Sequence, residues 1–123
     1  MIYLKSSEEM AIIQDNGDIL GRCHAEVAKA IKPGITTLEL DKIAYKFISD
    51  HKAHPSFLNY QVGNKKYAYS LCISVNDVVV HGLPGDLTLK EGDIISIDTS
   101  HLTSNRWTNG TLEKSKKLRC YFG

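Results

Sequence analysis

Apolar residues along this chain follow a helical period first and a strand-like one afterwards. Met10, Ile13, Gly17, Leu20, His24, Val27 and Ile31 recur at steps of three and four, which predicts an amphipathic helix over residues 6–31. Ser6 with Glu9 three positions on is a capping-box pair, hydroxyl and carboxylate each able to satisfy an orphan backbone N–H. Pro33-Gly34 ends the helix. A second helix opens at Thr36 or Thr37 with Glu39 as its capping acid, buries Leu40, Ile43, Ala44, Phe47 and Ile48, and runs out near Lys52, before Pro55. The period then shortens. Phe57–Tyr60, Leu71–Val75, Val78–His81 and Asp93–Asp98 are short and rich in β-branched or aromatic residues, as strands are. Asn76-Asp77 reads as a tight turn joining the second and third of these, and Pro84-Gly85 and Glu91-Gly92 bracket a loop. Two helices followed by hairpin-connected strands predict an α+β fold with a mostly antiparallel sheet.

Composition narrows the class without naming a function. The 123 residues are 42% apolar and 24% charged, ordinary values for one globular domain or a piece of one. A net charge of +1 gives no electrostatic reason to expect a nucleic-acid module. Apolar runs such as Val78–Val80 fall far short of the roughly 18–20 residues of a membrane span. The start, MIYLKSSEEM, turns acidic within ten residues and is not a signal peptide. Cys23, Cys72 and Cys120 are odd in number and form no CxxC pair, which speaks against a disulfide framework and a zinc knuckle. A cytoplasmic, reduced chain without a membrane partner is expected. Charge changes the picture more. Residues 100–123 carry five bases and one acid, whereas residues 1–99 carry ten bases and thirteen acids. Periodicity and turn signals also stop near Thr99. Two segments are therefore expected: a folded body over 1–99 and a divergent, poorly ordered basic tail over 100–123, such as a shift of reading frame near residue 99 produces.

Two residues stand where chemistry is placed. His81 closes one apolar run and Asp98 closes DIISID, so both sit at the rim of the expected sheet. An ionised group avoids burial unless paired or metal-bound. On spacing alone, a strand-end cap accounts for Asp98 and a packed histidine before a Gly turn accounts for His81. Neither has HExxH-type spacing to a second ligand.

Longer strings tip the balance. SLCISVNDVVVHGLPGD, followed by LKEGDIISID, closely resembles the corresponding stretch of type I methionine aminopeptidases, and MIYLKSSEEM and IKPGITTLELDKIA resemble that family's opening helix and its turn into the second. The resemblance spans about residues 1–99, with a short extra loop near Gly63–Lys66. It implies the N-terminal half of a pita-bread fold, two helices plus a curved mostly antiparallel sheet: the whole fold has two related αβ halves around that sheet, with paired divalent metals (Mn, Co, Fe or Zn) between them. The implied reaction is removal of the N-terminal methionine from nascent polypeptides, with ribosome association an accompanying expectation. By the same resemblance Asp98 is the first aspartate ligand, and His81 is a catalytic residue contacting substrate near the scissile amide. Tyr60, Tyr67, Cys72 and Phe57 line the methionine pocket. The chemistry suits these residue types. Carboxylates hold two cations together, the cations activate water, and a nearby imidazole donates to charge developing on the substrate. A thiol and aromatic walls suit a thioether.

The resemblance also breaks. The second aspartate falls at Asn109, within NRWTNGT, which carries no family likeness. A neutral amide about 4 Å from a cation forgoes roughly 4 kcal/mol per unit of ion charge at an effective dielectric near 20. The remaining ligands, one histidine and two glutamates, belong to the family's second half. His101 is expected to be a surface residue rather than a substitute ligand. The chain alone is therefore expected to show little or no turnover, and an open sheet edge invites association with itself or a partner. The alternative is a non-catalytic pita-bread binding module acting through protein or RNA contacts, its basic tail the motive.

Overall fold

The computed structural model describes residues 4–103 and a strand at 118–122. Two helices lie against small antiparallel sheets, so the α+β class holds. Helix α1 runs Ser7–Ala30 and α2 runs Thr37–Asp50. Both begin as the capping-box patterns predict: Ser6 and Thr36 each accept the backbone N–H three residues on, while Glu9 and Glu39 each accept the cap residue's own N–H. Gly34, at φ +95°, makes the turn between the helices, a conformation glycine adopts without a Cβ penalty.

The apolar stripe of α1 is used in its second half. Leu20, Cys23, His24 and Val27 are buried, whereas Met10 is exposed. On α2, Leu40, Ala44 and Ile48 are buried, and Ile43 and Phe47 pack on the core's margin. A bond between the Arg22 guanidinium and His51 Nε2 joins the two helices, with the guanidinium 5.8 Å from the centre of the Phe47 ring.

Among the described residues seven short strands follow: β1 Ala53–Pro55, β2 Gln61–Val62, β3 Lys65–Lys66, β4 Leu71–Val75, β5 Ile95–Thr99, β6 His101–Thr103 and β7 Leu118–Phe122. They pair antiparallel in three sheets, β1 with β6, β2 with β3, and β4-β5-β7 in that order. Along β4 and β5, Leu71, Ile73, Val75, Ile95, Ile97 and Thr99 are buried, and the apolar members join Cys23, Val27, Leu40, Ala44 and Ile48 in one core. The alternate residues Cys72, Ser74, Ser96 and Asp98 occupy the other face.

The expected strands Leu71–Val75 and Asp93–Asp98 are present, the latter displaced to Ile95–Thr99. Two others are absent. Phe57–Tyr60 is a turn, closed by Tyr60 N–H to Phe57 C=O at 3.0 Å, with Asn59 at φ +65°. Val78–His81 is an irregular segment whose three valines are exposed. Asn76-Asp77 does turn the chain, but β4 takes β5 as its partner, some twenty residues on. The extra loop near Gly63–Lys66 is the tip of the β2–β3 hairpin. Within the tail, His101–Thr103 pairs with β1 and Leu118–Phe122 with β5. His101 is 3% exposed, not a surface residue, because pairing with β1 places it inside. Asn109 and the bases Arg106, Lys114, Lys116 and Lys117 lie outside the described residues.

Burial lowers the pKa of His101 below the ordinary imidazole value, His51 nearby adding to the effect, and neither ring nitrogen has a hydrogen-bond partner among the described residues. A depressed pKa means the unfolded chain takes the proton first, so stability present above the ordinary histidine pKa is lost as pH falls through the folded value. The unfolding free energy read from urea denaturation is expected to drop between pH 7 and pH 5.5, by at most about 1.4 kcal/mol per pH unit for this group. His101→Gln should flatten that slope; an unchanged slope would remove His101 as its source.

Candidate active site

The polar face of β4 and β5 forms the floor of a small pocket. Cys72 stands opposite Asp98 and Ser74 opposite Ser96 in the strand register, and all four line it. Its wall is the irregular segment, through Val79, Val80 and His81. The two rim residues singled out in the sequence thus meet at one pocket, although 17 positions separate them.

The segment carrying His81 is held by main-chain bonds. Gly82 C=O accepts from Ile73 N–H at 2.8 Å, and Gly82 N–H donates to Ser74 Oγ at 3.1 Å. His81 itself has φ +57°, the left-handed region, which is uncommon outside glycine. Asp98 is half-buried, and its charge reaches His24 on α1. There it partly offsets a burial that otherwise holds the imidazole below its usual pKa.

An aromatic cluster adjoins Cys72. The Tyr67 hydroxyl donates to Leu71 C=O at 2.8 Å and lies 3.3 Å from Cys72 Sγ. Burial first, then the bond to Cys72, raises the Tyr67 pKa far above the ordinary phenol value, so the ring stays neutral. Phe57 meets Tyr67 edge to face with ring centres 6.3 Å apart, and Tyr69 does so at 5.7 Å. Phe57, Tyr67 and Cys72 are therefore contiguous, and Cys72 is continuous with Asp98 across the strands. Tyr60 is 66% exposed, and its C=O accepts the Tyr67 N–H at 2.8 Å. Cys23, the other described thiol, is sealed in the core and pushed up to about 12, which leaves it unreactive.

Sequence reasoning did not find Ser74 and Ser96. Their signal lies in the alternation of β4 and β5, where small polar residues fall on the same phase as Cys72 and Asp98. Asp41 was missed as well. Its buried carboxylate accepts the N–H groups of Ser70 and Leu71 at 2.8 and 2.7 Å and so fixes the start of β4, from which Cys72 projects.

Asp98 on a strand and His81 on the adjoining irregular segment thus share one pocket on the face of the sheet opposite the core. Residues 11–109 match metallopeptidase family M24, and the chain belongs to that family. Within it, the chain is 48% identical over 98 residues to methionine aminopeptidase 1 of Bacillus subtilis (strain 168), covering 80% of this chain and 38% of that protein. Methionine aminopeptidase from Rickettsia prowazekii superposes with a TM-score of 0.76 at 34% identity, over 82% of this chain and 39% of that one. The Thermotoga maritima enzyme does so at 0.74 and 33%, over 84% and 40%. The fold is accordingly the N-terminal part of the pita-bread fold, and the chain spans under two-fifths of the length of curated relatives it matches.

Membership of a metallopeptidase family implies a divalent metal. Among the described residues, however, no group of three or more His, Cys, Asp or Glu side chains is placed to hold one. Asp98 is the single carboxylate lining the pocket among them. The described residues alone do not fit a metal pair.

Proposed function

We propose that this chain supplies the Asp98–His81 side of a methionine aminopeptidase site, acting on the N-terminal methionine of polypeptides, and that without further ligands it turns over little or no substrate. The observation that carries this reading is the convergence of Asp98, His81 and Cys72 on one pocket within a segment 48% identical to such an enzyme. Asp98 contributes one charged ligand of the several that two cations require. His81 stands where an imidazole can donate to charge building on a scissile carbonyl. Cys72, Tyr67 and Phe57 form a soft, apolar wall that suits a thioether side chain. Tyr60, exposed at the base of the hairpin, is the outlying member of the set. No metal-borne step follows from these residues.

A chimera tests the reading. Residues 1–99 replace the matching segment of the Bacillus subtilis relative, leaving that protein's remainder intact. The expected result is Met-peptide hydrolysis with added Mn²⁺, Co²⁺ or Fe²⁺, falling about a hundredfold in His81→Ala, the loss typical of one donor to a developing oxyanion. The 123-residue chain under the same conditions should be inactive. A folded chimera without turnover, or one indifferent to His81→Ala and Asp98→Ala, would refute the assignment.

A further inference from the structure

His81 owes its conformation to bonds made by its neighbours. The valines preceding it are 47%, 85% and 47% exposed and Leu83 following it is 65% exposed, so burial does little to hold this segment in place. Beside the Ile73 N–H to Gly82 C=O bond, what fixes it is a pair of buried hydroxyls gripping the main chain at two glycines. Ser74 Oγ, on β4, accepts the Gly82 N–H at 3.1 Å. Thr37 Oγ, in the first turn of α2, accepts the Gly85 N–H at 2.9 Å and donates to the Gly85 carbonyl at 3.1 Å, a reciprocal clasp to which Leu38 N–H adds a third bond at 3.0 Å. Ser74 and Thr37 are 5% and 1% exposed, so water competes little for these bonds.

A non-glycine residue at φ +57° is an unfavourable state that persists where its surroundings over-determine it. Here the chain is fixed one residue and four residues beyond His81, and upstream Val78 N–H donates to Val75 C=O at 3.2 Å. We infer that Ser74 and Thr37 are positioning residues whose hydroxyls hold His81 in its left-handed conformation and so aim its ring at the Asp98 pocket. The functional weight of this inference rests on the aminopeptidase reading; the conformational part does not.

Nuclear magnetic resonance on the labelled full chain tests it. Positive φ brings the amide and α protons of one residue close together, giving His81 a strong intraresidue HN–Hα Overhauser effect. Ser74→Ala should speed hydrogen exchange at the Gly82 amide about fivefold, the loss of one ordinary hydrogen bond, and should cut the His81 Overhauser effect by about half or more. Thr37→Val should do the same through Gly85. Ser74→Thr and Thr37→Ser, which keep the hydroxyls, should leave the His81 signature intact. Faster glycine exchange with an unchanged His81 signature would reduce both residues to structural fasteners and overturn the inference, as would loss of the signature in the hydroxyl-keeping variants. If either removal variant does not fold, the other decides. A positive result here beside a chimera indifferent to His81→Ala would leave the positioning intact and refute the use of His81.

Discussion

Replacement of Asp41 by alanine is expected to lower the unfolding free energy by about 3–4 kcal/mol, read from urea denaturation at pH 7. The carboxylate is 7% exposed and accepts two backbone N–H groups, those of Ser70 and Leu71, that open β4. A hydrogen bond to a charged group contributes about 1.5–3 kcal/mol, and alanine leaves both donors buried without an acceptor. Part of that sum is offset, because burial raises the Asp41 pKa more than the two bonds lower it. Desolvating the charge therefore costs more than the N–H groups return. Two consequences follow. Asp41→Asn, which keeps an acceptor oxygen without the charge, should be less damaging than Asp41→Ala. And since the folded pKa is raised, Asp41 contributes most below its unfolded pKa and less as pH rises through the folded one, opposite in sign to His101. A loss below about 1 kcal/mol in Asp41→Ala, or a worse loss in Asp41→Asn, would contradict this account of how β4 is anchored.

Asp41 also shows where local pattern stops informing. Both helices were legible because their signals are local: reciprocal capping boxes at Ser6–Glu9 and Thr36–Glu39, and apolar stripes that need no partner to be counted. Strands β4 and β5 were legible because their apolar residues exceed what a turn can bury. Val78–His81 misled because β-branched residues mark strands only where a ladder partner exists; here Val78 N–H goes back to Val75 C=O, and the bond to β4 is made by the next residue, Gly82, with Ile73. Strand β1 was hidden by Pro55, tolerated at a sheet edge, and by a partner, β6, nearly fifty residues away. At the site, Asp98 and His81 were each visible as rim residues, yet their meeting depends on the β4–β5 register and on one glycine. Register is a long-range property. Ser74, a small polar residue in an apolar strand, becomes meaningful only when the strand opposite and the loop beside it are in place.

That glycine carries the second large effect. An added Cβ at Gly82 would collide with the Ile73 carbonyl oxygen and lie 2.7 Å from its carbon and 2.9 Å from Ser74 Cα, all of them backbone atoms inside a paired strand. A flexible side chain could yield; this backbone cannot without giving up its pairing with β5. Gly82→Ala must therefore lift the segment off β4, losing the Ile73–Gly82 bond and the Ser74–Gly82 bond together. Overpacking costs typically about 1–3 kcal/mol and each neutral hydrogen bond about 1, so a loss near 3 kcal/mol is expected. Gly85→Ala is the matched control: nothing lies within 4 Å of its Cβ position, its φ is not left-handed, and its cost should stay below about 1 kcal/mol. In the chimera, Gly82→Ala should then cut turnover as severely as His81→Ala, since lifting the segment carries the imidazole away from Asp98. Equal stability costs at the two glycines would show that the close approach to Ile73 is not what seats this loop. Full turnover in a Gly82→Ala chimera would show that His81 acts from wherever its loop rests, and the pocket would no longer need the strained conformation it contains.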